Sequence, residues 1–347
     1  MTLQFFNRSR LRWLILTLVV CALSTSCNEG NESPDGPVVY TAGRFTGLHA
    51  FQAVYWKDQQ MVALSPDAIG NSAQALNIFV NGTDVYVAGF EEKDNGWRRA
   101  VYWKNGVATY LTDGQHYAIA TWITISGEDV YVSGYESDGA NLVAKYWKNS
   151  SEVKLTDGTT DASAHTIIIS GSDVYVSGQE SVAGGARAMY WKNGIKVDVD
   201  PGNLKFRPIS MFVHGTDVYI AGVEMNEEIG TAIYWKNGTY TKLTDGTRMA
   251  GAHSIFVDGT DVFVAGYEYG QVFERTNAKY WKNGVPVSLS PSAKETSAQS
   301  ICLHNGDIYV ACVETANGAA ARAMYWKNES AVTLGNNSSA NHIFVVE

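Results

Sequence analysis

The tripeptide Tyr-Trp-Lys occurs seven times in this chain of 347 residues, with its Trp at positions 56, 103, 147, 191, 235, 281 and 326. Successive copies are separated by 44 to 47 residues. Self-similarity at such a period is typical of repeat architectures, in which each repeat is one structural unit. The chain is therefore predicted to be an array of seven similar units.

A second phrase recurs between the tripeptides, as in DVYVAG at Asp84–Gly89 and DVFVAG at Asp261–Gly266. Each period contains four segments with the alternating β-branched and aromatic residues of short strands, for example SIFV, DVFVAG, AKYWKNG and VPVSLS. Asn-Gly and Asp-Gly turns join neighbouring strands as hairpins. Four strands in each period, without an amphipathic helix, predict an all-β fold: a seven-bladed β-propeller of four-stranded antiparallel blades.

The array begins out of phase with its blades. A divergent copy of the second phrase, VVYTAG, opens it at Val38–Gly43, and the leftover first strand is NHIFVV at Asn341–Val346. The N- and C-terminal strands are therefore expected to share one blade, which closes the propeller over residues 38–347 and removes exposed strand edges. We expect a monomer.

The N-terminus has the features of a secretion signal. Three Arg residues without an acid precede an apolar run from Trp13 to Leu23, which is too short for a typical membrane span and is followed by Cys27. Residues 1–26 are predicted to be a lipoprotein signal peptide, and the polar residues 27–37 a flexible tether. Ordinary cleavage near Ser26, or an uncleaved anchor, is the alternative.

Two resemblances accompany these motifs. The segment Ser24-Thr25-Ser26-Cys27 resembles the lipobox of Bacteroidetes lipoproteins, which implies lipidation of Cys27 and attachment to a bacterial envelope, at the outer membrane. The phrase YWKNG…LTDG…DVYVAG over residues 38–347 resembles repeats of Bacteroidetes lipoproteins, and the blade order resembles kelch-type propellers. These resemblances imply a fold and a location, and they imply no reaction.

The charge balance argues against nucleic acid as a partner. The chain carries 26 Lys and Arg against 35 Asp and Glu, a formal net charge of −9, and removal of residues 1–26 with their three Arg would make it −12. Nonspecific affinity for phosphates comes from clustered positive charge, which is missing from this sequence.

The loops that follow the second and fourth strands of each unit vary, whereas the turns on the opposite face are short and nearly uniform. Variable loops on a uniform scaffold are where function usually lies. Trp97 and Trp122 are the only Trp residues after position 26 that lie outside the repeated position. Exposed aromatic residues suit sugar stacking or a protein contact. The candidate ligand-binding aromatic residues are Trp97, Trp122, Tyr117, Tyr135, Phe206, Tyr267 and Tyr269.

A second group of candidates lies where the innermost strands meet at the central channel. The aligned positions hold Leu76, Thr121, His165, Ile209, His253, Gln299 and Asn341, with His342 one place further on. Imidazole suits zinc, copper or nickel, but no short His spacing supports a metal. We predict a polar, water-lined mouth in which His165 and His253 are ligand-binding candidates, with no metal and no cofactor.

A Glu recurs in the repeats, and two cysteines, Cys302 and Cys312, lie in the last unit. A Glu follows the second strand in six units, and Arg99, Arg187 and Arg322 are positioned to pair with Glu91, Glu180 and Glu314. This leaves Glu136, Glu224 and Glu268 as the better candidates for chemistry, since paired carboxylates hydrolyse glycosidic bonds. Counting back from the Asn305-Gly306 turn places Cys302 opposite Tyr309 and Cys312 on the other sheet face, which predicts two free thiols.

Two hypotheses of function follow. The first is a noncatalytic binding propeller, anchored by lipid to the envelope, that binds a glycan or a protein through its variable-loop face. The alternative is a carbohydrate-active enzyme of the glycoside hydrolase, lyase or sugar epimerase type with its site at the channel mouth, and two carboxylates in a pocket there would favour it. A purely structural part of an envelope complex is a third possibility. The sequence shows no nucleophile elbow, phosphate loop or HExxH motif.

Overall fold

The computed structural model describes residues 36–65, 71–183, 185–199, 205–226, 229–270, 275–289, 295–315 and 321–347. Gly36–Glu347 forms one compact unit. The predicted signal peptide, Cys27 and most of the predicted tether lie outside the described residues. No helix occurs within the described ranges, so none of their segments is an apolar helix long enough to span a membrane.

The strands form seven four-stranded antiparallel sheets, which are the blades of a β-propeller. Blade 1 contains β1 (Val38–Thr46), β2 (Phe51–Lys57), β3 (Gln60–Ala63) and β28 (Ser338–Val346). Blades 2 and 3 contain β4 (Ala73–Asn81), β5 (Asp84–Glu92), β6 (Arg98–Lys104), β7 (Val107–Tyr110), β8 (Ala118–Ser126), β9 (Asp129–Ser137), β10 (Leu142–Lys148) and β11 (Ser151–Lys154). Blades 4 and 5 contain β12 (Ala162–Ser170), β13 (Asp173–Val182), β14 (Gly185–Lys192), β15 (Ile195–Asp198), β16 (Phe206–His214), β17 (Asp217–Asn226), β18 (Ile229–Lys236) and β19 (Thr239–Lys242). Blades 6 and 7 contain β20 (Ala250–Asp258), β21 (Asp261–Tyr269), β22 (Thr276–Lys282), β23 (Val285–Ser288), β24 (Glu295–His304), β25 (Asp307–Thr315), β26 (Arg322–Lys327) and β27 (Ser330–Asn336).

Blade 1 confirms the predicted closure. Its strand order is β28-β1-β2-β3, so the C-terminal strand pairs with the first described strand of the chain. The register joins Val38 to Val346 and Thr41 to Ile343. Because the last strand completes the first blade, the ring is closed by hydrogen bonds between the two ends of the chain.

The repeated Tyr and Trp pack neighbouring blades against each other. Adjacent residues of a strand point to opposite sheet faces. Trp103 of blade 2 is fully buried against Tyr40 and Ala42 of blade 1, and Tyr55 of blade 1 packs into the same cluster. Each repeated Trp therefore faces the preceding blade and each repeated Tyr the following one.

The repeated Asp and Lys connect the two turns on the uniform face. Lys104 Nζ lies 2.8 Å from Asp84 Oδ2, and Asn105 Nδ2 donates to Asp84 Oδ1 at 2.8 Å. The hydrogen bond from Lys104 has the largest effect, followed by that from Asn105, and together they hold the pKa of Asp84 below its usual value. The ion pair recurs as Asp129–Lys148, Asp173–Lys192, Asp217–Lys236, Asp261–Lys282 and Asp307–Lys327. Because the pair recurs in six blades, its role is structural.

The repeated Gly of the second strand permits a close approach to the first. A Cβ added to Gly178 would lie 2.2 Å from the carbonyl oxygen of Ser163, and one added to Gly89 would lie 1.9 Å from that of Gln74. No side chain fits at such distances, and glycine in a strand often marks a close backbone approach or a bulge. The first strand of each blade has a register shift beside this contact.

Deletion of residues 341–347 tests whether the ring depends on closure. The deletion removes Ile343, which is buried, and leaves the edge of β1 that pairs with β28 without a partner at five of its eight paired positions. Loss of one buried Ile side chain alone costs about 2–5 kcal/mol, so we expect the free energy of unfolding in urea to fall by at least that amount. Deletion of the exposed Glu347 alone is the control. Equal stability of the two truncated chains would contradict closure by β28.

Candidate functional site

The candidate site is the mouth of the central channel, and it is built from seven β-bulges. In each innermost strand the residue at the register shift has no partner on the second strand. A bulge changes the direction of a side chain that would point to one face of the sheet in a regular strand. The residues at these shifts are Leu76, Thr121, His165, Ile209, His253, Gln299 and Asn341. They are the same seven residues that repeat alignment places at the mouth.

These residues surround one cavity of about 430 Å³, which we call the mouth cavity. Its lining is completed by Trp122, Pro208, Ser254 and His342. Asp, Glu, Lys and Arg are all missing from the described residues of this lining. These residues give the mouth cavity one indole and several uncharged hydrogen-bonding groups.

Four of the bulge side chains hold the next blade in place. His165 Nδ1 donates to the carbonyl oxygen of Pro208 at 2.8 Å, and Asn341 Nδ2 donates to that of Ala75 at 2.7 Å. Thr121 and His253 make the equivalent bonds to Ala164 and Ala298, both at 3.0 Å. In each case the acceptor is the residue before the bulge of the following blade. The polar side chains of the mouth therefore have a structural role, which is to connect neighbouring blades by hydrogen bonds.

The two mouth histidines are neutral. A carbonyl only accepts hydrogen bonds, so the Nδ1 atoms of His165 and His253 carry protons and their Nε2 atoms are acceptors. Burial lowers the pKa of both side chains. His165 Nε2 lies 2.9 Å from Ser163 Oγ, which occupies it, whereas His253 Nε2 has no hydrogen-bond partner in the described part of the chain. Of the two, His253 is the one with an acceptor to offer a ligand.

No group of three or more His, Cys, Asp or Glu in the described ranges has the geometry to hold a metal ion. Three His line the mouth cavity. His165 and His253 have their Nδ1 atoms, and His165 also its Nε2 atom, in hydrogen bonds to protein atoms. What the mouth offers chemically is hydrogen bonding and aromatic contact.

Trp122 and His342 lie one place after their bulges and meet in the channel. Their ring centroids are 4.7 Å apart and their planes are nearly perpendicular. Both residues also line a second cavity of about 200 Å³, whose walls include Phe79, Phe212 and Phe256. The pair therefore separates the polar mouth from an apolar chamber further along the channel.

The other predicted aromatic residues differ in their surroundings. Tyr267 lies beside His253, with ring centroids 5.2 Å apart, and Tyr269 is 6.2 Å from Tyr267. These two extend from the mouth along β21. Trp97 is 45% exposed in the loop between β5 and β6 and is not part of the mouth-cavity lining. Tyr267 and Tyr269 are therefore candidate contacts near the mouth, whereas Trp97 is a candidate contact on a loop.

Tyr117 and Tyr135 belong to a stack that holds an arginine. Their rings are stacked at 6.4 Å, and Arg98 Nη1 donates to the Tyr117 hydroxyl at 2.9 Å. The guanidinium also lies 4.2 Å above the ring of Phe90. Burial raises the pKa of Tyr135 to about 12. Local packing accounts for much of this pair's placement.

Phe206 is a correction to the sequence analysis. It is fully buried at the start of β16 instead of exposed in a loop. Its ring meets that of Tyr240 edge-on at 5.7 Å and packs between blades 4 and 5. The prediction that Phe206 is an exposed aromatic residue of the loop face is therefore wrong, because strand β16 already begins at this residue and its side chain packs in the blade interface.

The repeated Glu residues are also placed differently from the expectation. Glu136 pairs with Lys145 at 2.9 Å, Glu224 with Lys242 at 3.0 Å, and Glu268 with Lys279. The expectation that these three are unpaired is therefore wrong. The pairs Glu91–Arg99 and Glu314–Arg322 form as predicted, but Glu180 pairs with Lys196 instead of Arg187. All six carboxylates form ion pairs, and none of the six lines the mouth cavity.

The two cysteines agree with the prediction. Cys302 pairs with Tyr309 in the strand register, and both thiols are free. Cys302 and Cys312 belong to different packing clusters on opposite faces of blade 7. Burial raises the pKa of Cys302 to about 12 and also raises that of Cys312, so both are protonated at neutral pH.

Comparison with known proteins identifies the fold alone. No protein-family model and no curated protein matches the chain. Among solved structures, it is similar to an acylaminoacyl peptidase of Pyrococcus horikoshii, at 10% identity and a TM-score of 0.54, over 87% of this chain and 52% of that chain. It is also similar to a puromycin-hydrolyzing peptidase of Mycobacterium tuberculosis, at 12% identity and a TM-score of 0.50, over 76% of this chain and 46% of that chain. The chain thus spans about half the length of each peptidase.

His342 makes stability depend on pH. Burial lowers its pKa to about 3, against about 6.5 in an unfolded chain. Below pH 6.5 the unfolded state binds the proton and the folded state does not, so stability falls as the pH falls. Between pH 7 and pH 5 this one group should lower the free energy of unfolding by about 2 kcal/mol.

Urea unfolding of His342→Gln at the two pH values measures this contribution. We expect the variant to lose about 2 kcal/mol less than the unmodified chain between pH 7 and pH 5. His116→Gln removes an exposed histidine and is the control, expected to change nothing in this difference. The same pH dependence in His342→Gln as in the unmodified protein would show that His342 is not held neutral in the fold.

Proposed function

We propose that the protein is a noncatalytic binding propeller of a bacterial cell envelope, anchored through lipid on Cys27, and that it binds a glycan in the mouth cavity. The observation that carries this proposal is the lining of that cavity, in which the described residues are an indole and hydrogen-bonding side chains without a charged group. Its location on the variable-loop side, where the innermost strands begin, agrees with the region to which the sequence assigns function.

The size of the cavity suits a small ligand better than a protein surface. A volume of about 430 Å³ lies within the range of about 300–1,000 Å³ that is usual for ligand pockets. A protein partner would instead require a contact of roughly 800 Å² on each side. A concave mouth of this size therefore favours one or two sugar units over a folded protein.

The chemistry of the lining favours a sugar. A pyranose ring has an apolar face of C–H groups and a rim of hydroxyls. Trp122 supplies an aromatic surface, and the side chains of Gln299 and Asn341 supply amide groups to the lining of the same cavity. His253 Nε2 adds a hydrogen-bond acceptor that a sugar hydroxyl can reach as donor.

The same lining argues against the carbohydrate-active enzyme. Most glycoside hydrolases use two carboxylates that flank the bond to be cleaved. No carboxylate of the residues that the structure describes lines the mouth cavity, and the six repeated Glu residues are held in ion pairs away from it. Binding without turnover is the function that these residues support.

Substitution of Trp122 tests the site. The full-length chain, purified in detergent, is applied to a glycan array, and Kd is measured for the glycans it retains. We expect Trp122→Ala to weaken binding at least tenfold, or about 1.4 kcal/mol, because the aromatic surface is lost. Trp97→Ala, which removes the exposed loop indole, is the matched control and should bind normally. Loss of binding in Trp97→Ala with normal binding in Trp122→Ala would move the site to the loop face, and retention of no glycan would refute the proposal.

Substitution of Cys27 tests the anchor. We expect Cys27→Ser to incorporate no labelled palmitate and to shift from the membrane to the soluble fraction of its host, because the thiol that carries the lipid is gone. Cys21→Ser, within the apolar run of the signal, should keep both properties. Labelled Cys27→Ser protein in the membrane would contradict lipidation at this residue.

A further inference from the structure

A second polar cavity of about 280 Å³ adjoins the mouth cavity. Gln299 and Asn341 line both cavities, so a ligand that occupies the mouth has the second cavity next to it. The second cavity is lined by Arg44 and by small polar side chains that include Thr276, Ser297 and Ser339. We call it the Arg44 pocket.

Arg44 is the exceptional residue of its repeat position. It follows the glycine of the second strand in blade 1, and the register pairs that glycine with Ala340. The residues at the same position of the other blades are Phe90, Tyr135, Gln179, Val223, Tyr267 and Val313. All six are uncharged, so packing of a blade does not require a cation there.

Arg44 is half-buried, and it has no counter-ion among the described residues. Its guanidinium lies 4.2 Å above the ring of Phe51, and none of the carboxylates in the described ranges is within ion-pair distance of it. Burial lowers the pKa of Arg44. By contrast, Arg98 and Arg99 in the next blade pair with Glu92 and Glu91 at 3.2 and 2.8 Å.

A cation held in this way is costly unless something else compensates it. Partial burial removes water from the guanidinium, and a buried charge without a partner is unfavourable. The stack on Phe51 restrains the guanidinium beside the small polar side chains of the pocket. Guanidinium is also the group that binds a carboxylate in two parallel hydrogen bonds.

We propose that the Arg44 pocket binds the carboxylate of an acidic sugar whose neutral part lies in the mouth cavity, so that the ligand is a glycan with uronic or sialic acid residues. This inference rests on the proposed function, since it assigns the class of glycan. Glu295 lies on the exposed rim of the same pocket, where solvent screens its charge, and it leaves Arg44 as the group that contacts the anion.

The test compares matched acidic and neutral ligands. Oligosaccharides with uronic or sialic acid residues are each printed beside their carboxyl-reduced counterparts, and Kd is measured by titration for the pairs that bind the full-length chain. We expect the acidic member of at least one pair to bind tenfold or more tightly than its reduced counterpart. Arg44→Gln should abolish this preference while neutral binding persists, and Arg44→Lys should restore it only in part, because ammonium lacks the planar fork.

Arg207→Gln is the matched control. Arg207 is an exposed arginine next to Pro208 of the mouth cavity, and its removal changes the net charge equally. It should keep the preference for acidic glycans, and urea unfolding of all variants checks that they are folded. The role of Arg44 would be overturned if the unmodified protein showed no preference for the acidic glycan, if Arg44→Gln kept the preference or if Arg207→Gln lost it. In each of these cases, glycan binding that depends on Trp122 would leave the proposed function standing. Binding of neither member of any pair would overturn both.

Discussion

The bulge in the first strand of each blade is the constraint on which the mouth depends. In six blades a glycine of the second strand lies beside the bulge, and an added Cβ at this glycine would lie 1.9 to 2.2 Å from a carbonyl oxygen of the first strand. Blade 7 has Cys312 at this position and forms the same bulge, so the glycine accompanies the bulge but is not required for it. The side chain at each bulge leaves the regular pairing pattern, and seven such residues, one from each blade, meet around the axis. A uniform backbone thereby presents a ring of side chains that differ from blade to blade.

The bulge residues also make hydrogen bonds between blades, and these bonds limit which atoms of the mouth can bind a ligand. In four blades the carbonyl beside the bulge accepts a hydrogen bond from the bulge residue of the preceding blade. These bonds explain why Thr, His and Asn occur there, and they use atoms that a metal or a substrate would otherwise use. The repeated Glu residues form ion pairs within the blades, and the repeated Asp and Lys form them on the uniform face. Among the described residues, the groups left for a ligand at the mouth are the face of Trp122, the amide oxygens of Gln299 and Asn341, and the Nε2 atom of His253.

The sequence predicts most of the fold because the repeat encodes it directly. The period, the leftover strand at Asn341–Val346 and the pairing of Cys302 with Tyr309 depend only on counting residues, and the structure confirms all three. The partners of the Glu residues could not be found in this way. Lys145 and Lys279 stand directly before Tyr of the repeated tripeptide, whereas Lys196 and Lys242 lie in the fourth strand, so partners come from different positions in different blades. Arg44 stands out once the repeats are aligned on the glycine, but its missing counter-ion is a property of the packed structure.

A crystal structure with the tightest-binding glycan tests the central claim, that the seven bulges form a binding site, most directly. We expect a sugar ring against Trp122, with its hydroxyls hydrogen-bonded to Gln299, Asn341 or His253. A sugar bound on the loop that carries Trp97, or on the outer edge of a blade, with the mouth free of ligand would contradict the claim.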